Sequence, residues 1–252
     1  MITILKGFFI VFLLTVNSYA SDVFVSLSSQ KITLGEPVKV TVITTRPIKS
    51  YKLALLNKKF KLFLENKKRK KYRYTAIVGI NRTKKPGDYK LKLDVKLKNK
   101  GRFYQEYKIN LAYSMNRKKG KVTLSKRKTK LSKNKRAYTD EYKLLSDNFK
   151  QLTNKKYFKG KYQLPAKGRL SSGFGKLRFY NSGKVSSHAG LDIANKKGTS
   201  ILAPQKGKVI FSETLEVHGN TIIIDHGYGI ISIFCHLNKR RIRKNKYVKK
   251  GQ

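Results

Sequence analysis

The chain has 252 residues, 39% of them hydrophobic, and a formal net charge of +46 from 59 Lys+Arg against 13 Asp+Glu. That length accommodates two modest domains, that apolar content excludes a wholly disordered chain, and a single cysteine, Cys235, excludes an intrachain disulfide framework. So positive a field draws polyanions, whether nucleic acid, anionic lipid or the carboxylate- and phosphate-rich polymers of a bacterial envelope. A general replacement of surface residues by Lys gives the same excess, so charge alone names no partner.

At the start, Lys6 precedes the apolar run Phe8-Phe9-Ile10-Val11-Phe12-Leu13-Leu14, and Ser18-Tyr19-Ala20 follows with small residues where a signal peptidase reads them. The run is about half of the roughly 20 residues a spanning helix needs. Residues 1–20 are therefore expected to be a cleaved signal peptide, and no cysteine follows to carry a lipid. The expectation is an exported protein, in the periplasm, cell envelope or extracellular space, with no transmembrane segment after cleavage.

From Asp22 to Tyr113 the pattern is strand-like. Val23, Val25 and Leu27 alternate with Phe24, Ser26 and Ser28; Val38-Lys39-Val40-Thr41-Val42 and Tyr89 to Leu97 alternate again, the latter with Lys on one face. Ile32-Thr33-Leu34, Tyr72 to Val78 and Tyr107 to Leu111 are further strand candidates, with turns at Gly35-Glu36-Pro37 and Lys85-Pro86-Gly87-Asp88. Residues 21–113 are expected to form a small antiparallel sandwich that resembles bacterial immunoglobulin-like modules, for spacing, binding or structure alone. Asn116 to Lys135 is dominated by Lys, Arg, Ser and Thr and reads as a solvated linker. Lacking aromatic interleaving, it is not read as a binder of single-stranded nucleic acid. Tyr138, Tyr142, Leu145, Phe149 and Leu152 then fall on one helical face, with Thr139-Asp140-Glu141 placed near the helix start, so 114–160 is a basic linker with one amphipathic helix. Beyond Tyr162 glycines are frequent and Ile201–Ala203, Lys208–Phe211, Thr221–Ile224 and Ile230–Phe234 are strand candidates. The fold class expected for the whole is all-β.

Chemistry concentrates in Ser187-His188-Ala189-Gly190-Leu191-Asp192. An imidazole and a carboxylate at this spacing can reach one cation if the backbone between them folds sharply, as Gly190 permits; alone, the signal is weak. Around it stand Gly168-Arg169-Leu170-Ser171-Ser172-Gly173-Phe174-Gly175, Arg178-Phe179-Tyr180-Asn181, Gly198-Thr199-Ser200-Ile201-Leu202-Ala203-Pro204, Gly207-Lys208-Val209, Gly219-Asn220-Thr221-Ile222-Ile223-Ile224-Asp225-His226-Gly227 and Phe234-Cys235-His236-Leu237. This ordered set resembles the lysostaphin/LytM-type zinc metallopeptidases over 161–252, with a Gly-rich antiparallel β domain. The resemblance implies a peptidoglycan endopeptidase that uses zinc, with His188 and Asp192 as metal ligands and His236 as the catalytic histidine at the attacking water or the developing oxyanion.

The sequence departs from the family in lacking its H-x-H motif, whose last histidine is the third zinc ligand. The histidines are His188, His218, His226 and His236, and none follows His236. The domain is expected to be interrupted before that motif and catalytically incomplete as it stands. A surface or loop role is expected for His218 and His226. Peptidoglycan is the expected partner, with anionic envelope polymers a further one and nucleic acid not expected. The alternative is a non-catalytic peptidoglycan-binding or hydrolase-regulating module on the same scaffold.

Overall fold

The computed structural model describes residues 22–99, 101–112, 119–150, 153–181 and 183–252, so the signal-peptide expectation and Leu152 lie outside the described residues. The N-terminal part contains β1 (Val23–Leu27), β2 (Lys31–Thr33), β3 (Val38–Thr44), β4 (Ile48–Leu55), β5 (Lys58–Phe60), β6 (Phe63–Lys68), β7 (Lys71–Val78), β8 (Gly87–Leu97) and β9 (Arg102–Ala112). They form two sheets, in the orders β1-β3-β7-β6 and β2-β9-β8-β4-β5. Period-two alternation explains both faces. Leu91, Leu93, Val95 and Leu97 of β8 turn inward while Lys90, Lys92 and Lys96 stay wet, and Val38, Val40 and Val42 of β3 join them in one core. One pairing departs from a purely antiparallel sandwich: the short β2 runs parallel to β9.

Within the segment expected to be a solvated linker, the described residues from Lys119 onward include regular elements. After β10 (Lys119–Val122) come α1 (Lys126–Lys133) and α2 (Lys135–Phe149). The backbone of β10 pairs in parallel with β12 (Leu177–Tyr180), a pairing that needs no apolar side chain and therefore leaves no hydrophobic trace. Asn134 caps α2, its side chain accepting from the Ala137 N–H. The acidic residues expected near the helix start lie beyond its first turn. The inward stripe is Ala137, Glu141 and Leu145, whereas Tyr142, expected on the apolar face, is 75% exposed. The register differs because Leu145 and Phe149 pack on a sheet, and the face they define passes through Glu141.

That sheet is built from β15 (Gly207–Leu215), β16 (Gly219–Gly227), β17 (Ile230–Leu237) and β18 (Tyr247–Val248), in the order β17-β16-β15-β18. Residues 221–227 of β16 are buried without a break because the sheet is covered twice. Val209, Ile222 and Ile224 pack with Ala203, Phe234 and Val248 on one face, while Phe211 and Ile223 meet Leu145 and Phe149 of α2 on the other. Before this sheet come β11 (Arg169–Ser172), β13 (Val185–Ser187) and β14 (Asp192–Ala194); β11 pairs with β14 and β12 with β13. Ile201–Ala203, expected as a strand, runs outside the ladders, although Ala203 exchanges backbone hydrogen bonds with Gly251 and Gln252. The protein is mostly β, as its composition of short alternating segments implies. No helix among the described residues is long and apolar enough to cross a membrane.

Candidate functional site

The segment from β13 to β14 brings His188 and Asp192 together. The His188 backbone is tied at both ends to the β12 side of the hairpin: its N–H donates to Lys176 O and its carbonyl accepts from Gly175 N–H, both at 2.8 Å. Gly190 does not have a positive φ, so the connection from β13 to β14 does not use glycine's left-handed freedom. A Cβ there would stand 3.9 Å from His188 Nε2, an ordinary van der Waals contact.

The ring is oriented from behind. His188 Nδ1 lies 3.0 Å from Gly173 O and 3.2 Å from Ser172 Oγ. A carbonyl only accepts, so Nδ1 carries a proton, and in the neutral form of the ring the lone pair lies on Nε2. That nitrogen is 3.1 Å from Asp192 Oδ1. Two acceptors facing each other at this distance need a positive centre between or beside them, a proton or a cation. The imidazole is 10% exposed and the carboxylate 47%, so the pair opens to solvent on the aspartate side. The other carboxylate oxygen of Asp192 is held by the Arg178 guanidinium, which also donates to Ser172 Oγ at 3.1 Å. Neither Arg178 nor Ser172 was singled out by charge or periodicity, although Ser172 stands in the segment Gly168–Gly175 and Arg178 opens the segment that follows it.

His236 occupies a different sheet. It lies where the β16–β17 register shifts, with φ +57, and a bulge of this kind re-aims a side chain. Its N–H donates to His218 O at 2.8 Å, and the two imidazoles are near-parallel with centroids 6.5 Å apart. His218, in the turn between β15 and β16, is in turn held by Glu141 of α2: Oε2 is 2.6 Å from His218 Nδ1. Burial pushes the pKa of the neighbouring Cys235 thiol up, which disfavours its thiolate form. His188 and Asp192 stand together, and among the described residues no group of three His, Cys, Asp or Glu side chains converges as a metal site.

The surface or loop role expected for His226 is overturned. Its ring is fully buried on β16, with Nδ1 2.9 Å from Lys206 O and Nε2 2.8 Å from Ser232 Oγ. It is a core residue. His218 does lie in a turn, but as one half of a pair with a buried carboxylate.

Residues 186–252 match the family described as Peptidase family M23. The chain is 31% identical to the peptidoglycan DD-endopeptidase ShyA of Vibrio cholerae, over 36% of this chain and 22% of that protein. It is 32% identical to the murein hydrolase activator NlpD of Escherichia coli, over 36% of this chain and 22% of that one. The match therefore spans about a fifth of the length of these curated relatives. A solved Pseudomonas aeruginosa protein, described as a candidate M23 peptidase, superimposes with a TM-score of 0.55 and 23% identity, over 84% of this chain and 77% of that one. That likeness is one of fold. Residues 186–252 thus match peptidase family M23, and the ordered motifs around the His188–Asp192 pair agree with that match.

Proposed function

We propose that the protein is an exported zinc metalloendopeptidase acting on peptide bonds of bacterial peptidoglycan. The organisation proposed with it is a signal peptide at 1–20, an immunoglobulin-like module at 21–113, a basic segment with helix at 114–160 and the peptidase domain at 161–252. The observation that carries the reading is the His188 Nε2 to Asp192 Oδ1 approach of 3.1 Å, with Nδ1 locked by Gly173 O, inside the segment that matches the family. A neutral imidazole with a fixed lone pair beside a carboxylate oxygen is a donor set that suits zinc.

In this reading His188 and Asp192 hold the metal, which when bound polarises the scissile carbonyl. Arg178 keeps the Asp192 carboxylate turned so that one oxygen remains directed at His188. His236, solvent-facing on β17, offers a donor to the charge that develops on the carbonyl oxygen. Catalytic zinc takes three protein ligands, and among the described residues no third side chain joins the pair. The proposal therefore requires a third donor brought to the site.

A second reading, a peptidoglycan-binding module that regulates other hydrolases, is favoured by the 32% identity to a murein hydrolase activator. Zinc titration and sacculus digestion with His188→Ala and Asp192→Ala separate the two. The enzyme reading requires zinc affinity to fall by more than about 100-fold in each variant, with solubilisation of sacculi abolished. Unchanged zinc affinity in both variants sinks the metal assignment. Sacculus binding without solubilisation by the wild-type chain, together with stimulation of a separate hydrolase, establishes the regulatory reading.

A further inference from the structure

The stripe that α2 turns toward the C-terminal sheet contains a carboxylate. Ala137, Glu141 and Leu145 are its buried residues, and Glu141 is only 7% exposed. An aliphatic side chain there would continue the packing of Leu145 against Phe211 and Ile223. Burying a carboxylate is costly unless its oxygens are satisfied. These are: Oε1 accepts the Val217 N–H at 2.7 Å, and Oε2 accepts the His218 N–H at 3.2 Å and faces His218 Nδ1 at 2.6 Å. All three donors come from the turn between β15 and β16. A carboxylate only accepts, so Nδ1 of His218 carries a proton and the ring is fixed in one orientation.

That turn is what His236 rests on. The His236 N–H donates to His218 O, and its ring lies near-parallel to the His218 ring. His236 also holds φ +57, a left-handed backbone that a non-glycine residue keeps only when its surroundings enforce it. Thr221 Oγ1 donates to the carbonyls of His218 and Gly219, tightening the same turn from the strand side. Glu141, 76 positions before Val217 and outside residues 186–252, thus clamps the peptide that sets the backbone of His236.

We propose that Glu141 is a positioning residue for His236, acting through His218; this rests on the catalytic reading of His236 above. The helix ahead of the family-matched segment is then part of the catalytic machinery rather than a tether. Glu141 fixes the His218 ring and turn, His218 fixes the backbone and ring face of His236, and the imidazole is presented in one orientation.

The test uses the full chain labelled with 15N-histidine, whose imidazole signals are assigned by substituting each histidine in turn. Two-bond nitrogen–proton couplings report the tautomer at about pH 8, where a free imidazole is neutral. The wild type should show His218 as the Nδ1–H form and a single narrow His236 signal. In Glu141→Leu, which keeps the packing volume and removes the acceptor, His218 should move to the Nε2–H form. The His236 signal should split or broaden by about twofold or more as its orientation is lost, with His188 and His226 unmoved. Glu141→Gln, which keeps an acceptor for Nδ1–H, should restore both. An unchanged His236 signal beside a shifted His218 tautomer overturns the proposal. Should Glu141→Leu shift His226 as well, the core has been disturbed and His218→Phe decides: it retains a ring but gives Glu141 no ring N–H, and an unaltered His236 signal there also overturns the proposal. Catalysis is read separately. A mobile His236 with undiminished sacculus hydrolysis upholds the positioning and refutes the catalytic role of His236.

Discussion

Histidine in this chain shows how far a residue's chemistry is set by what surrounds it. His226 has a carbonyl on one side of its ring and a hydroxyl on the other, Lys206 O and Ser232 Oγ, which suits a neutral ring with its proton on Nδ1. Burial pushes its pKa below that of a free imidazole. The unfolded chain therefore binds a proton at a pH where the folded chain does not. Stability should fall as pH drops below about 6.5 toward the folded value, by at most about 1.4 kcal/mol per unit from this group. His226→Gln removes the titration. Denaturant unfolding between pH 7 and 5 should show a flatter pH dependence in the variant, with a loss of about 1–3 kcal/mol at neutral pH from disrupted hydrogen bonds. An unchanged slope shows that His226 is not the group responsible. The sequence revealed the His188–Asp192 pair because the two stand four positions apart across the short connection from β13 to β14. It gave no sign of the Glu141–His218 pair, whose members are 77 positions apart and meet only when α2 docks.

At the scale of elements, legibility followed periodicity. Strands β3 and β8 alternate in sequence because one face is wet, and β16 shows a continuous apolar run because both of its faces are covered. Strands β4 to β6 and β11 to β14 escaped notice: exposed Lys and polar residues fill much of β4 and β6, and β11 to β14 are three or four residues long. Their ladders are backbone hydrogen bonds, to which apolar patterning is blind. The motif glycine Gly207 is explained only by the sheet. A Cβ at that position of β15 would lie 2.5 Å from Ile224 Cγ2 and 2.6 Å from the Asp225 carbonyl oxygen, so β16 would have to move. Gly207→Ala should destabilise the protein by about 1–3 kcal/mol. Gly79→Ala, where a Cβ meets nothing within 4 Å, should change stability far less. Equal unfolding midpoints for the two variants would remove this account of the motif.

For the whole molecule, the N-terminal sandwich and the C-terminal sheet touch through particular groups. The Phe63 and Tyr228 rings stack at 4.6 Å, the Tyr228 hydroxyl donates to Leu64 O, and Lys156 pairs with Glu65 at 2.5 Å. Glu65 is held below the usual carboxylate range: burial acts to raise it, and the hydrogen bonds from Lys156 and Thr75 outweigh that. Elsewhere the acids are engaged in the same way, Asp22 with Arg46, Asp88 with Lys108, Asp94 with Arg102, and Glu106 with both Lys90 and Lys92. Pairing every carboxylate still leaves the excess of +46, spread along the chain, so the charge cannot be neutralised internally and is available to an external polyanion. We expect it to hold the protein on the anionic wall and raise its concentration near the substrate. Between about 0.1 M and about 1 M salt the Debye length contracts from about 10 Å to about 3 Å, and co-sedimentation with purified sacculi should weaken by about tenfold or more. Binding that is indifferent to salt would assign retention to specific contacts in place of the charge. Salt-sensitive binding to DNA with none to sacculi would mean that the excess serves nucleic acid instead.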